Sequence, residues 1–70
     1  MAHKIKFKGK TYTVIEVLNI DDTSIIKRKE KVKSSKGEIF IFIKSVLGYY
    51  LYNDKNQRVA ETLSIQEWTT

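Results

Sequence analysis

Seventy residues allow one domain, spanning 1–70, and 41% apolar with 30% charged residues is an ordinary globular composition rather than a disordered one. No Cys and a single His exclude a disulfide framework, a thiolate metal site, a cysteine nucleophile, a His cluster for zinc and a Ser–His–Asp triad. Thirteen Lys and Arg against eight Asp and Glu give a net charge of +5, and no apolar run approaches the roughly 18 residues of a transmembrane helix.

Fourteen Ile and Val and six Thr against two Ala favour β-structure. β-Branched side chains lose rotamer freedom in helices and pack well on a pleated sheet. Ile5 and Phe7 alternate in a first strand near 4–8. Lys8-Gly9 then suits a two-residue hairpin, because a type I′ turn needs positive φ at its second central residue. The second strand, near 10–18, is apolar on both sides, with Tyr12 and Val14 on one and Ile15 and Val17 on the other. That pattern suits a central strand.

Residues 20–34 admit two readings. Asp21-Asp22-Thr23 resembles a helix start, and a helix near 22–34 would give an α+β fold. Its apolar positions, Ile25, Ile26 and Val32, form no continuous face. As a strand near 24–33, Ile26, Arg28, Glu30 and Val32 alternate with Lys27, Lys29, Lys31 and Lys33. The strand is the preferred reading, with the four lysines in one solvent-facing row.

Ser34 to Gly37 reads as a turn closed by glycine in the left-handed region. The strand near 38–45 follows, with Ile39, Ile41 and Ile43 on one side and Phe40 and Phe42 on the other. Gly48 marks a bend before a strand near 49–53, in which Tyr49 points away from Tyr50 and Tyr52. Asn53 to Asn56 is a turn, Asn56 accepting positive φ. A strand near 58–63 places Val59 and Leu63 on one face. Ser64 to Glu67 fits a capping box and predicts a short helical turn carrying Trp68, with a continued strand through Ile65 as the alternative.

The expected fold is all-β: an antiparallel meander of five or six strands curled into a small barrel or bent sheet. The expected core is Ile5, Phe7, Val14, Ile15, Val17, Ile26, Ile39, Ile41, Phe42, Leu51, Val59 and Leu63. In outline this is similar to SH3-like and OB-type small barrels. The likeness covers architecture alone, and such barrels host many unrelated tasks.

No catalytic or metal motif fits, so a non-enzyme without cofactor or metal is expected. Glu16 is the odd polar residue of its strand and is read as a rim or edge position. His3 falls where chains are loosely ordered. The glycines fall in turns and form no phosphate loop. No apolar h-region follows the basic start, so no leader is expected, and the lack of Cys favours the cytoplasm. No membrane partner is expected.

The charge is uneven. Residues 1–44 hold eleven basic and five acidic side chains, net +6, and residues 45–70 hold two and three, net −1. Lys27, Arg28, Lys29, Lys31, Lys33 and Lys36 crowd around one acid, Glu30. Such a field either keeps a β-protein soluble and guards its edges or attracts a polyanion, that is nucleic acid or an acidic protein surface. Tyr50 and Tyr52 beside these lysines match the stacking platforms of single-strand binders, and equally a protein interface or the rim of a core. Lys outnumbers Arg eleven to two, which favours phosphate contacts over base-specific ones. The leading expectation is weakly sequence-specific nucleic-acid binding through the lysine-rich surface. The alternative is a protein-binding module, an inhibitor or adaptor of the sort phages and mobile elements carry, which includes a homodimer formed through the strand near 24–33 as an open edge.

Overall fold

The computed structural model describes residues 2–20 and 25–70. Its seven strands are β1 (His3–Phe7), β2 (Lys10–Val17), β3 (Ile26–Ser34), β4 (Ile39–Ser45), β5 (Gly48–Tyr52), β6 (Arg58–Thr62) and β7 (Gln66–Thr69), with no helix among the described residues. The fold is all-β. The helix near 22–34 gives way to strand β3 from Ile26 onward, and the helix-start motif at 21–23 lies outside the described residues. The capping box at Ser64 to Glu67 forms no helical turn either. Gln66–Thr69 is a seventh strand, antiparallel to β1, with Lys4 opposite Trp68.

β3 is the central strand, hydrogen-bonded to β2 on one side and β4 on the other. The stretch near 24–33 is therefore not the open edge expected for pairing with a second copy; the edges are β6 and β7. The strand order β6-β5-β4-β3-β2-β1-β7 makes the sheet curl. Seven flat strands would put β6 and β7 about 29 Å apart, at about 4.8 Å per step. Three residues, 63–65, join those two edges, and such a link reaches at most about 14 Å. The sheet therefore bends into a half-barrel with a concave and a convex face, and its two edge strands are not paired with each other.

The turns follow local backbone chemistry. Lys8 and Gly9 have φ of 51° and 82°, as a type I′ hairpin requires. At the start of β5, Gly48 has φ 148°, and a Cβ there would stand 3.0 Å from the Thr62 carbonyl oxygen, so only glycine lets β6 come this close. The Asn53 Oδ1 accepts hydrogen bonds from the amides of Lys55 and Gln57, both 2.9 Å, and fixes the turn into β6.

The concave face holds the core. Ile5, Phe7, Tyr12, Val32, Phe42 and Leu51 are buried, and Val14, Phe40, Tyr49, Ala60 and Ile65 pack against them. Phe7 meets Phe42 edge-on at 6.3 Å, Tyr12 meets Phe40 edge-on at 5.8 Å, and Tyr49 stacks on Phe42 at 5.9 Å. Burial and the charge of Glu38 push the Tyr12 phenol above its usual range.

Several expected core residues lie elsewhere, for identifiable reasons. The β2–β3 register shifts between Val14 and Glu16, leaving Ile15 as the extra residue of a bulge, and it is exposed. The β1–β2 pairing stops at Lys4 and Thr13, so Val17 projects past β1 and is 75% exposed. A bulge in β6 makes Val59 the extra residue and sets Ala60, not Val59, opposite Leu51. Val59 is accordingly 50% exposed, and Leu63, in the link to β7, is 83% exposed. Ile26 is half-buried. On β4, Phe42 takes the concave side opposite Leu51, which turns Ile39 and Ile41 to the convex side.

Candidate nucleic-acid interface

Residues paired across antiparallel strands share a face, so the register specifies the convex surface row by row. Lys33 lies opposite Ile39, Lys31 opposite Ile41, and Lys29 opposite Ile43. Ile41 in turn faces Tyr52, and Ile43 faces Tyr50. The convex face thus carries three parallel rows on neighbouring strands: lysines on β3, isoleucines on β4 and tyrosines on β5. On the other side of the lysines, Thr13 links Lys33 to Lys4, which faces Trp68, and Lys6 faces Gln66. Five lysines, at 4, 6, 29, 31 and 33, therefore share this face with two carboxylates, Glu16 and Glu61.

The side chains form a continuous surface. Ile41, Ile43, Tyr50 and Tyr52 are half-buried, as are Lys29 and Lys31. The Arg58 guanidinium lies over the Tyr50 ring, 5.1 Å from its centroid, and supplies a cation on the tyrosine side. Glu16 is exposed and meets the Lys31 ammonium at 3.5 Å, in agreement with its reading as a rim position.

Of the expected site residues, Lys29, Lys31, Lys33, Tyr50 and Tyr52 come together on this face. Lys36 is exposed in the turn after β3. Lys27 does not stand in the ladder: the β3–β4 register shifts between Ile26 and Arg28, and Lys27 is the extra residue of that bulge. Arg28 lies on the opposite face. Its side chain enters the concavity, 5.6 Å from the Phe42 ring centroid, and pairs with Glu30 at 2.7 Å and Glu67 at 2.8 Å. The sequence reading missed Lys4, Lys6, Ile41, Ile43 and Arg58. One signal was present: β4 is apolar on both sides, and a single sheet with one core leaves one of those sides on the surface.

The concave mouth holds a separate polar cluster. The Glu67 Oε1 accepts from Arg28 Nη1 and from His3 Nε2, both at 2.8 Å. A carboxylate only accepts, so His3 carries its hydrogen on Nε2. His3 is thereby a bonded strand residue rather than part of a loose terminus. Burial acts to raise the Glu67 carboxyl, but the hydrogen bonds and charges of His3 and Arg28 outweigh it and hold the group below its usual range. Burial likewise acts to lower the Arg28 guanidinium, and its bonds to Glu30 and Glu67 more than reverse this. Among the described residues no three His, Asp or Glu side chains gather as a metal site would need. No helix among them is long and apolar enough to cross a membrane. Comparisons with protein-family models, with curated proteins and with solved structures gave no match.

Proposed function

We propose that the convex face binds nucleic acid through its phosphates, with little sequence preference. The observation that supports this is the cationic ladder of Lys29, Lys31 and Lys33 running beside an apolar and aromatic strip on the same face. Lysines act as hydrated point charges on phosphate and lack the planar fork of donors with which arginine reads base edges. Three phosphate contacts give a log–log salt slope of about −2 on single strands and about −3 on duplex. A cytoplasmic location and a purely binding, non-enzymatic role belong to this reading.

Fluorescence anisotropy with labelled oligonucleotides across a salt series tests it. Binding should weaken along that slope and disappear in the Lys29→Glu/Lys31→Glu variant, whose fold is checked by circular dichroism. Absence of binding at low salt rejects the reading and leaves the lysines as solubility and edge protection.

The second reading, self-association or protein binding, is favoured by the two edge strands β6 and β7, each with one side unpaired in the sheet. Light scattering at high concentration separates them: a strict monomer removes the homodimer.

A further inference from the structure

We infer that the ligand of the convex face is an extended single strand lying along β3–β5, its phosphates on the lysines and its bases turned across Ile41 and Ile43 onto Tyr50 and Tyr52. This rests on the nucleic-acid reading and names the form of the ligand.

The order of the rows carries the inference. From lysine to isoleucine to tyrosine is two strand steps, about 9.6 Å in all. A nucleotide with its phosphate at Lys31 can lay its sugar and base over Ile41 toward Tyr52, and one at Lys29 can lie over Ile43 toward Tyr50. Successive lysines stand about 6.7 Å apart along the strand, a step that a stretched sugar–phosphate chain can follow with one phosphate per lysine. The ladder then holds three nucleotides, and exposed Lys36, in the turn beyond Lys33, extends the track to about four.

A duplex uses this surface poorly. Its bases are stacked inside and its exterior is a charged cylinder, so nothing apolar would cover the isoleucines. The protein face is convex, and two convex bodies touch along a narrow line. A single strand offers free base faces, and any base can stack on a tyrosine. Arg58 beside Tyr50 extends the platform, because a guanidinium plane also takes a base.

The test compares a labelled ten-nucleotide oligothymidine, a ten-base-pair duplex and polyglutamate, titrated against the full chain at low salt. The single strand should bind at least tenfold tighter than the duplex. Tyr50→Ala and Tyr52→Ala should each lower single-strand affinity by about 5- to 150-fold, the range measured for one stacked base, and leave duplex affinity unchanged. Lys29→Glu/Lys31→Glu should lower both. Photocrosslinking of the unaltered chain to a bromouridine oligonucleotide, read by mass spectrometry, should label Tyr50 or Tyr52 and needs no variant to fold. Duplex binding as tight as single-strand binding overturns the inference, as do crosslinks confined to other residues or equal affinity for polyglutamate. Failure to bind either nucleic acid rejects the underlying reading instead.

Discussion

The Arg28 guanidinium on β3 reaches the Glu67 carboxylate on β7, 2.8 Å from Nη1 to Oε1, although β2 and β1 lie between those strands in the sheet. The ion pair is a chord across the inside of the curl. Arg28 Nη2 holds the buried Glu30 at 2.7 Å, so one guanidinium neutralises two acids. A planar fork of donors suits this task, and an ammonium would not serve both carboxylates in the same geometry.

Replacing Arg28 by Met keeps most of the volume and strands Glu30 without a partner. The expected loss is about 2–3 kcal/mol, reduced from the full penalty of a buried unpaired charge because the site is partly open to water. Chemical denaturation would show it. The double variant Arg28→Met/Glu30→Gln should lose less than the sum of the two single changes. An additive result would mean that the two side chains do not act as a pair.

Acid should destabilise the fold through Glu67. Its folded carboxyl binds a proton less readily than the unfolded one, whose value is about 4.3. The unfolded chain therefore takes up more protons as pH falls below that value, and stability present above it drains away as pH passes through the lower folded value. Melting temperatures measured from pH 6 downward should fall, and Glu67→Gln should flatten that decline.

Phe42 and Ile41 are neighbours on β4 with opposite fates. Phe42 sits at the centre of the ring cluster and is 1% exposed, whereas Ile41 faces outward. Phe42→Ala should cost about 3–5 kcal/mol and unfold most of a domain this small. Ile41→Ala should cost about 1 kcal/mol or less and leave a cooperative melt. Similar losses in the two would mean that both faces of β4 are covered in solution.

Glu16 competes with a polyanion for Lys31. Removing its charge by Glu16→Gln should raise oligonucleotide affinity at low salt by about fivefold, the equivalent of roughly 1 kcal/mol for one charge pair in water. The gain should vanish at high salt as screening takes over.

Much of this molecule is legible from the chain itself. β-Branched composition sets the class, and the turns at Gly9, Gly37 and Asn56 follow from residues that tolerate positive φ, a local property. Alternation along β3 places Arg28, Glu30 and Val32 against Lys29, Lys31 and Lys33, and alternation on β5 parts Tyr49 from Tyr50 and Tyr52. Other features depend on contacts that no local pattern encodes. Ile39, Ile41 and Ile43 are as apolar as Phe40 and Phe42, so the choice of core face on β4 fell to shape: the aromatic rings fill the concavity against Phe7, Tyr12 and Tyr49. Bulges at Ile15, Lys27 and Val59 break the period-two pattern because a sheet that curls this tightly needs extra residues where it bends. The segment at 66–69 became a strand because β1 offered an unpaired edge, opposing Trp68 to Lys4 from the far end of the sequence.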